Sequence, residues 1–438
     1  MNKHISIVYM VIFLAIIYGF AIVTFISPDK EISDIENRTL SKFPEISLAA
    51  VTTGNFFEKI NQYWNDQIVF RNEMIRIYQN QQNSEIFNSM LFENLFEANK
   101  PREPQDGTKI KNSRIVSKLV VTNNKWILPI PNKVVHKSEI DAATARLNDA
   151  VTFAKNQKTE AYFIFNPSRT KALMHLYPKY FQTDAYAKSK EYFLSKLDKD
   201  VNVINLGEKF DTFTKAQLEE LYFETDHHWN IKGAFIAYQE MITQLSKKSS
   251  KFEGKPMSLH EINVSTLTTG NFKGSYNTQI NYAVNPKNAD RTPIYEPKMP
   301  FTFKNFEAIS TDGKEVITNF HDFYRFKYGE SDYSYKILYG GDKRKIAYEN
   351  PKANNQLNVL LIKDSYMNPI TPYLAQHFNK LTVLDNRYYS DFSLKKVLTS
   401  EKYDILIIAC HDDNLFSDNY QFEKGQGSRY NHAVEDWA

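Results

Sequence analysis

The sequence is poor in cysteine: its 438 residues include one, Cys410. A single thiol cannot form an internal disulfide, and a chain of this length needs none if its core is large. Apolar residues make up 42% of the chain, with 31 Phe and 27 Tyr, which is more packing material than a disordered protein has. Cys410 lies in the apolar run YDILIIAC, so we expect a buried strand residue rather than a nucleophile.

The chain also has little net charge. Its 54 Lys and Arg residues nearly balance its 51 Asp and Glu residues, which leaves a formal net charge of +3. The cationic residues are scattered rather than grouped in blocks, and the sequence has no internal repeat and no low-complexity tract. The composition therefore gives no indication of nucleic-acid binding.

The N-terminus contains an uncharged, mostly apolar run over residues 5–26. As a helix that rises about 1.5 Å per residue, this run is about 33 Å long, enough to cross the roughly 30 Å hydrocarbon core of a membrane. Lys3 precedes the run and Asp29 and Glu31 follow it, so the positive-inside rule places the N-terminus in the cytoplasm and the rest of the chain outside. We therefore predict a retained transmembrane anchor over residues 1–27, with a cleaved signal peptide as the alternative.

The rest of the chain separates into two regions. Residues 28–110 begin with a polar, proline-containing linker and continue with apolar residues at helical spacing, which predicts a helical region. Over residues 111–438, strand-like apolar runs alternate with helical segments, which indicates an α/β domain with a mostly parallel sheet flanked by helices. Residues 247–356 are rich in Asn, Lys, Pro and Gly and contain short strand-like runs, so we predict a long β-rich insertion there.

Polar residues follow the predicted buried strands, where a parallel sheet binds its ligands. The strand LNVLLIK is followed by Asp364 and Ser365. The Ser365 hydroxyl would then lie at the sheet edge, beside the N–H groups that begin a helix, in the position of a nucleophile with its oxyanion site. The alternative is that Ser365 is a helix N-cap, which is a common use of serine.

The segment YFETDHHWN contains the adjacent histidines His227 and His228, directly after Asp226. An aspartate two residues before a histidine, at a loop-to-helix junction, can bind Nδ1 of the imidazole and leave Nε2 for a serine. The helix would begin after Asn230, a residue type favoured as N-cap. A metal site is the other chemical interpretation, although adjacent residues rarely converge on one ion and the sequence has no H-E-x-x-H motif.

The segments FETDHHWNIKGAFIAY, LLIKDSYMNP and VLDNRYY together resemble the DHHW protein family and, more broadly, the SGNH-hydrolase-like O-acetylation proteins of the alginate AlgX/AlgJ type. In those proteins an Asp-x-His-Trp element precedes a Gly-Asp-Ser-Tyr/Phe element. The segments IENRTLSKFP, YWNDQIVFR and NPSRTKALMHLYP extend the resemblance over most of the chain. The resemblance implies an SGNH-hydrolase-like α/β fold. This chain has Lys363 where the usual motif has Gly, which allows a tight strand-to-helix turn.

The resemblance also implies roles for the central residues. Ser365 would be the nucleophile, His228 the general base and acid, and Asp226 the carboxylate that orients the imidazole. His227 occupies the variable position of the Asp-x-His-Trp element and is the second choice for the base. The implied mechanism needs no metal and no other cofactor.

Further residues would support this reaction. The oxyanion of the tetrahedral intermediate would be bound by backbone N–H groups near Ser365 and Tyr366. The side-chain amides that are candidates for a further donor are those of Asn368, Asn386 and Asn414. The residues that are candidate contacts to a sugar, or alternatively part of the core, are Trp229, Arg387 and Tyr388.

The activity that the resemblance implies is transfer of an acetyl group, through a serine acyl-enzyme, onto hydroxyls of a cell-surface or exported polysaccharide. A membrane-bound O-acyltransferase is the expected donor partner, and a single-pass anchor would hold the domain beside it, outside the cytoplasm. Two alternatives stay open at this point. One is a carbohydrate acetylesterase with the same triad, and the other is a non-catalytic cell-surface carbohydrate-binding protein.

Overall fold

The computed structural model describes residues 3–33, 38–75, 77, 113–116, 119–123, 125–267, 270–280, 282, 284, 290, 292–324, 332–414 and 420–424. The chain divides into two compact units. The first comprises Met1–Glu103, Thr278–Ala283 and Asn431–Ala438, and the second comprises Pro104–Asn277 and Val284–Tyr430.

The first unit contains the N-terminal helices. They are α1 (Lys3–Ile26), α2 (Leu48–Thr52) and α3 (Asn55–Gln67), with a short antiparallel pair of strands β1 (Ile32–Ser33) and β2 (Arg38–Thr39). Helix α3 lies within residues 28–110, the region predicted to contain helix, and the part of that region from residue 78 to residue 110 lies outside the described residues. Among the described residues, no helix combines the length and the apolar character that a membrane crossing requires. The anchor over residues 1–27 stays a prediction.

The second unit begins with a three-stranded antiparallel sheet and continues with the strands of a larger one. The strands are β3 (Arg114–Val116), β4 (Leu119–Thr122), β5 (Trp126–Pro129), β6 (Glu160–Asn166), β7 (Asn202–Asn205), β8 (Ile262–Thr266), β9 (Pro293–Pro297), β10 (Asn305–Ile309), β11 (Val316–Ile317), β12 (Lys345–Glu349), β13 (Asn355–Lys363), β14 (Phe378–Leu384) and β15 (Ile405–His411). Strands β3, β4 and β5 form the small sheet, and β8 pairs with β9.

Helices of very different length connect and cover these strands. The α-helices that follow α3 are α4 (Lys137–Asn156), α5 (Arg169–Ala172), α6 (Ala185–Ser195), α7 (Gly207–Phe210), α8 (Lys215–Glu219), α9 (Ile231–Lys248), α10 (Ser275–Gln279), α11 (Phe320–Phe323), α12 (Tyr335–Leu338), α13 (Thr371–Leu374) and α14 (Leu394–Ser400). The short 3-10 helices are Met174–Leu176, Leu259–Glu261, Ser365–Ile370, Ala375–His377, Asn386–Tyr388 and Asp412–Asn414.

Within the described part of the chain, the main sheet has eight strands in the order β11-β10-β12-β14-β13-β15-β6-β7. The strands from β14 to β7 pair in parallel. Strand β12 pairs antiparallel with β14, and β10 pairs antiparallel with both β12 and β11. The sheet predicted to be mostly parallel is therefore mixed, with five parallel strands and an antiparallel edge. The reason is that strands of the predicted insertion extend the main sheet instead of forming a sheet of their own.

Alternate residues of the central strands face two separate cores. On one face Ile407 packs in the same cluster as Met241 of α9. On the other face Ile408 packs in a cluster with Leu147 of α4. Cys410 belongs to this second core and is 1% exposed, and burial raises the pKa of its thiol. The prediction of a buried strand cysteine is confirmed.

Local predictions near the site have mixed outcomes. Strands β4 and β5 pair antiparallel. Helix α9 begins after Asn230, whose side chain accepts hydrogen bonds from the N–H groups of Lys232 at 2.9 Å and Gly233 at 3.3 Å. The single helix expected after β13 is wrong, because that segment is divided into two 3-10 helices around the short α13.

Candidate active site

Ser365 lies at the carboxyl end of β13, a central strand of the main sheet. It is the first residue of the 3-10 helix Ser365–Ile370, and Asp364 is the N-cap of that helix. Asp364 Oδ1 accepts a hydrogen bond from Tyr366 N–H at 3.0 Å, and Oδ2 accepts two from His411, from its N–H at 2.7 Å and from Nδ1 at 2.6 Å. The neighbouring aspartate caps the helix, so the Ser365 hydroxyl is not needed for capping.

The turn into this helix needs no glycine. None of the residues 363–366 has a positive φ, so the backbone accepts a lysine without strain. The Lys363 side chain is fully buried, and its Nζ lies 2.6 Å from Asn368 Oδ1 and 3.4 Å from Asp385 Oδ2. Asp342 Oδ1 is 3.6 Å from the same nitrogen. Lys363 therefore ties the turn to two carboxylates.

Asp226 and His228 lie in the short loop before α9, which an antiparallel bridge between Tyr222 and Trp229 closes. Asp226 Oδ1 accepts hydrogen bonds from His228 N–H at 3.1 Å and from His228 Nδ1 at 2.7 Å. Its Oδ2 accepts one from Ser275 N–H at 2.8 Å. Burial raises the pKa of Asp226, but the hydrogen bond and charge of His228 outweigh it and hold the pKa well below its usual range. The carboxylate is therefore ionised and fixed in orientation.

His228 and Ser365 meet although they are 137 residues apart in the sequence. His228 Nε2 lies 2.7 Å from Ser365 Oγ. Because Nδ1 faces the carboxylate of Asp226, the proton of the neutral ring belongs on Nδ1, and Nε2 can accept the serine hydroxyl. The order carboxylate, imidazole, hydroxyl is the one that general-base activation of a serine requires.

Aromatic side chains join the two parts of the site. The Trp229 indole N–H donates to Tyr366 O at 2.8 Å, and the Tyr366 hydroxyl donates to His227 O at 2.7 Å. Trp229 is fully buried, and its ring packs in the same core as Met241 and Ile407.

A buried arginine supports the loop that contains Asp226. Arg169 is 2% exposed and donates from Nε to Phe223 O at 2.9 Å, from Nη1 to Ile127 O at 2.5 Å and from Nη2 to Glu224 O at 2.6 Å. One guanidinium group therefore holds the backbone carbonyl groups of Phe223 and Glu224, which come just before Asp226. Arg169 lies in the NPSRTKALMHLYP segment, but nothing local in the sequence identifies its three carbonyl partners.

Asp290 binds the backbone N–H groups of the same segment. Its carboxylate accepts hydrogen bonds from the N–H groups of Glu224 and Thr225 and from the Thr225 hydroxyl. Burial raises the pKa of Asp290 to about 7, although the Thr225 hydroxyl favours the ionised form. Sequence reasoning missed this residue, because a pairing across 66 positions leaves no local pattern.

The residues predicted as oxyanion donors are already bound. The Tyr366 N–H donates to Asp364, and the Asn368 amide donates to Asp342 Oδ1 at 2.9 Å. The Asn386 amide donates to Gln421 O at 3.1 Å. The expected donation from these groups to an oxyanion therefore competes with bonds inside the protein. The side chain of Asn414 lies outside the part that the structure describes.

The two remaining candidate sugar contacts take part in the ionic cluster around Lys363. Arg387 binds Asp385 through two hydrogen bonds, Nε to Oδ1 at 2.8 Å and Nη2 to Oδ2 at 2.7 Å. The Tyr388 hydroxyl donates to Asp342 Oδ2 at 2.9 Å. The Arg387 side chain is 21% exposed, so most of its surface is buried within the cluster.

The DHH segment has the spacing of a possible metal site. One ligand atom from each of Asp226, His227 and His228 lies within 4.8 Å of the others. Both ring nitrogens of His228 take part in hydrogen bonds, however, and His227 Nδ1 lies 2.7 Å from Ser275 Oγ. Metal ligation would have to break this arrangement, so the geometry favours a hydrogen-bonded relay.

A surface cavity of about 370 Å³ lies between α4 and α14. The residues that line it are Ala145, Arg146, Asp149, Ala150, Phe153, Leu394, Lys395, Phe422 and Glu423. Asp226, His228 and Ser365 do not line this cavity.

Comparison with solved structures gives a relative of similar fold. Bacillus cereus PatB1 is 30% identical, with a TM-score of 0.63, and the match covers 71% of this chain and 100% of that one. PatB1 with a sulfonyl adduct gives 29% identity and the same TM-score of 0.63, over 70% of this chain and 100% of that one.

More distant matches bear on the fold alone or carry no argument. A DHHW family protein from Eubacterium siraeum is 19% identical, with a TM-score of 0.54, and the match covers 72% of this chain and 97% of that one. The O-acetyltransferase domain of Pseudomonas putida AlgJ is 10% identical, with a TM-score of 0.40, and the match covers 74% of this chain and 95% of that one.

A comparison with curated proteins gave no match. The DHHW protein family matches residues 144–384 of this chain. That range is more than half of the sequence, and Asp226, His228 and Ser365 lie within it. The protein belongs to the DHHW protein family.

Proposed function

We propose that this protein is a serine-dependent O-acetyltransferase that modifies hydroxyls of a cell-surface or exported polysaccharide. The observation that carries the proposal is the chain of hydrogen bonds from Asp226 through His228 to Ser365, in which both side-chain contacts measure 2.7 Å. This series of hydrogen bonds places the Ser365 hydroxyl, at the carboxyl end of a central strand, beside the base His228, whose tautomer is fixed.

In the first half of the reaction, Ser365 takes up the acetyl group. Its Oγ attacks the carbonyl carbon of the donor while His228 Nε2 accepts the hydroxyl proton, and the ionised Asp226 stabilises the imidazolium. The tetrahedral intermediate then breaks its bond to the leaving group, which receives the proton from His228. The product is an acetyl ester on Ser365.

The intermediate needs hydrogen-bond donors for its oxyanion. The Ser365 N–H begins the 3-10 helix, where backbone N–H groups lack partners within the helix. We assign the first oxyanion contact to this group rather than to the Tyr366 N–H, which is bound to Asp364.

In the second half, a sugar hydroxyl takes the acetyl group. The hydroxyl oxygen attacks the ester carbon and gives its proton to His228 Nε2. The bond to Ser365 Oγ then breaks, and His228 returns the proton to that oxygen. Water in place of the sugar would make the same site an esterase, so the acceptor decides between the two activities.

Support for the acetyl group and the polysaccharide comes from the resemblance to SGNH-hydrolase-like O-acetylation proteins, and support for an extracytoplasmic site comes from the apolar N-terminal run. We propose a membrane-bound O-acyltransferase as the donor partner. Sulfonyl reagents react with activated hydroxyl nucleophiles, and a relative with 29% identity forms a sulfonyl adduct. A nucleophilic Ser365 in this chain agrees with that reactivity.

The test uses the full-length protein with 4-nitrophenyl acetate as donor, with and without oligosaccharide acceptors. We expect a burst of 4-nitrophenol, an acetyl group on Ser365 in the intact mass, and acetylated sugar when an acceptor is present. Ser365→Ala should abolish all three, whereas Ser400→Ala, an exposed serine outside the site, should abolish none. Hydrolysis without any acetylated sugar would make the protein an esterase, and full activity of Ser365→Ala would overturn the enzymatic proposal.

A further inference from the structure

The other histidine of the DHHW motif, His227, has no task in the mechanism above. Its ring lies against that of His228, with ring centroids 3.7 Å apart. The His227 side chain is 29% exposed, whereas that of His228 is 5% exposed. The ring beside the catalytic imidazole is therefore more accessible to solvent than the catalytic imidazole itself.

The protein fixes one of the two ring nitrogens of His227. Nδ1 lies 2.7 Å from Ser275 Oγ and 3.9 Å from the carboxylate oxygen Oδ1 of Asp226. A carboxylate at that distance favours a proton on Nδ1, so Nδ1–H donates to Ser275 Oγ and the lone pair of the neutral ring is on Nε2. Ser275 is itself held in place, because its N–H donates to Asp226 Oδ2 at 2.8 Å.

The other nitrogen, Nε2, is open to a ligand. It has no hydrogen-bond partner in the part of the chain that the structure describes, and it is not among the buried polar atoms that lack a partner. An exposed hydrogen-bond acceptor therefore lies next to the catalytic base, and no contact within the described protein explains it.

The charge state of the ring agrees with this use. Burial and the neighbouring charge of His228 lower the pKa of His227 to about 3, although the charge of Asp226 opposes them. The ring is neutral at physiological pH and too weak a base to take a proton from a sugar. Its Nε2 can accept a hydrogen bond without becoming charged.

We propose that His227 Nε2 binds a second hydroxyl of the acceptor sugar, on the carbon next to the attacking hydroxyl. This inference rests on the proposed transferase function. The attacking hydroxyl gives its proton to His228 Nε2 as its oxygen bonds to the acetyl carbon. The neighbouring hydroxyl keeps its proton and donates it in a hydrogen bond to His227 Nε2. The site therefore prefers a vicinal diol to a single alcohol and to water.

The experiment compares two acceptors that differ in one hydroxyl, trans-1,2-cyclohexanediol and cyclohexanol, with 4-nitrophenyl acetate as donor and the full-length protein. Three rates are measured: the burst of 4-nitrophenol, hydrolysis, and formation of each acetylated alcohol. In the unsubstituted protein we expect the diol to be preferred by about tenfold, the value of one neutral hydrogen bond. In His227→Ala this preference should vanish while the burst rate stays within about threefold, because His228 still activates Ser365.

Two more variants separate this role from a structural one. In His227→Gln, the side-chain amide can reach the position of Nε2 and should restore part of the diol preference that His227→Ala loses. In His227→Asn, the shorter amide reaches only the position of Nδ1 and should not restore this preference. His260→Gln, an exposed histidine elsewhere, is the matched control and should behave like the unsubstituted protein.

The outcomes are distinguishable. A diol preference that survives in His227→Ala would overturn the inference, and so would a burst that falls as much as transfer does, because His227 would then act on His228 instead of the acceptor. Transfer to neither alcohol by the unsubstituted protein, with a normal burst, would refute the transferase proposal and this inference with it. Loss of diol preference in His227→Ala with a normal burst supports both.

Discussion

Tyr335 lies flat against His228. The two ring centroids are 3.6 Å apart and the ring planes differ by 3°, and the Tyr335 hydroxyl donates a hydrogen bond to Ser365 O at 2.7 Å. One side chain therefore restrains the rotation of the imidazole and also binds the backbone of the serine. Tyr335 begins α12, inside the segment predicted as an insertion, so that segment contributes directly to the candidate site.

Asp226→Asn should leave the fold intact and remove most of the activity. An amide cannot hold the His228 proton on Nδ1 as a carboxylate does, so the wrong tautomer faces Ser365. By analogy with other triads we expect kcat to fall about 10⁴-fold with little change in KM. Steady-state hydrolysis of 4-nitrophenyl acetate measures this, with Asp391→Asn, an exposed aspartate, as the control. A loss of less than about tenfold would contradict the role of Asp226 as the orienting carboxylate.

His227 should stay neutral as the pH falls from about 8 to about 5. Its pKa lies near 3 in the folded protein against an ordinary value of 6.5, so below pH 6.5 the unfolded chain binds a proton that the folded chain does not. Stability from this residue is therefore constant above pH 6.5 and declines as the pH falls toward 3.

NMR of the imidazole nitrogens measures this titration directly. In thermal unfolding, His227→Gln should lose less stability than the unsubstituted protein when the pH is lowered from about 7 to about 5. A titration midpoint of His227 at the ordinary histidine value would show that the fold does not lower its pKa and that the ring is charged at about pH 5.

Gly274→Ala should disturb the position of Asp226, although Gly274 is not part of the DHHW motif. An added Cβ would lie 2.3 Å from both Thr225 O and Thr225 Oγ1, so the backbone must shift. The shift would move Ser275 N–H away from Asp226 Oδ2, to which it now donates. We expect about 1–3 kcal/mol of lost stability in denaturant unfolding, and reduced kcat. Gly19→Ala, with nothing within 4 Å of the new Cβ, is the control, and equal behaviour of the two variants would refute the close approach at Gly274.

Lys363→Met should destabilise the protein although methionine has a similar length. The change leaves the buried carboxylate of Asp385 without the ammonium group that now lies 3.4 Å away. Arg387 still binds the Asp385 carboxylate, so we expect the loss of the ammonium group to cost about 1–3 kcal/mol, less than a fully unpaired buried charge would, and urea unfolding can measure it. Lys363→Gly, which restores the usual residue of the motif, should be no more stable, because the turn has no positive φ for a glycine to relieve. Lys188→Met, at a lysine that is 62% exposed, should have little effect, and a similarly small effect of Lys363→Met would contradict this role for the cluster.

The purified protein should act without a bound zinc ion. The ring nitrogens of His228 are already used by Asp226 and Ser365, so a metal would compete with the proposed relay. We expect elemental analysis to show no stoichiometric zinc and a chelator to leave the esterase burst unchanged. Stoichiometric zinc together with loss of the burst after chelation would overturn the assignment of the triad.

Local patterns in the sequence predicted the parts of the site that depend on near neighbours. The apolar runs that became β13 and β15, the N-cap Asn230 and the loop that brings Asp226 onto His228 involve contacts between residues close in the chain. Hydrophobic periodicity and capping chemistry determine such features, so they can be read without a structure.

Other features depended on pairings across long stretches of chain. Strands β10 and β12 extend the sheet antiparallel, which no local pattern indicates, because a short strand has the same composition in either orientation. Arg169 and Asp290 bind the backbone around residues 223–225 from distant positions, and backbone partners leave no trace in side-chain spacing.

The sequence by itself determined which residues have the chemistry: a serine after a buried strand, and a histidine two positions after an aspartate at the start of a helix. Only the tertiary structure decided that these residues meet, that Trp229 is buried, that Asp364 rather than Ser365 caps the helix, and that Nε2 of His227 has no partner among the described residues. The physical reason is that residue type fixes what a group can donate or accept, whereas packing of the whole sheet and its helices fixes which groups lie within hydrogen-bond distance.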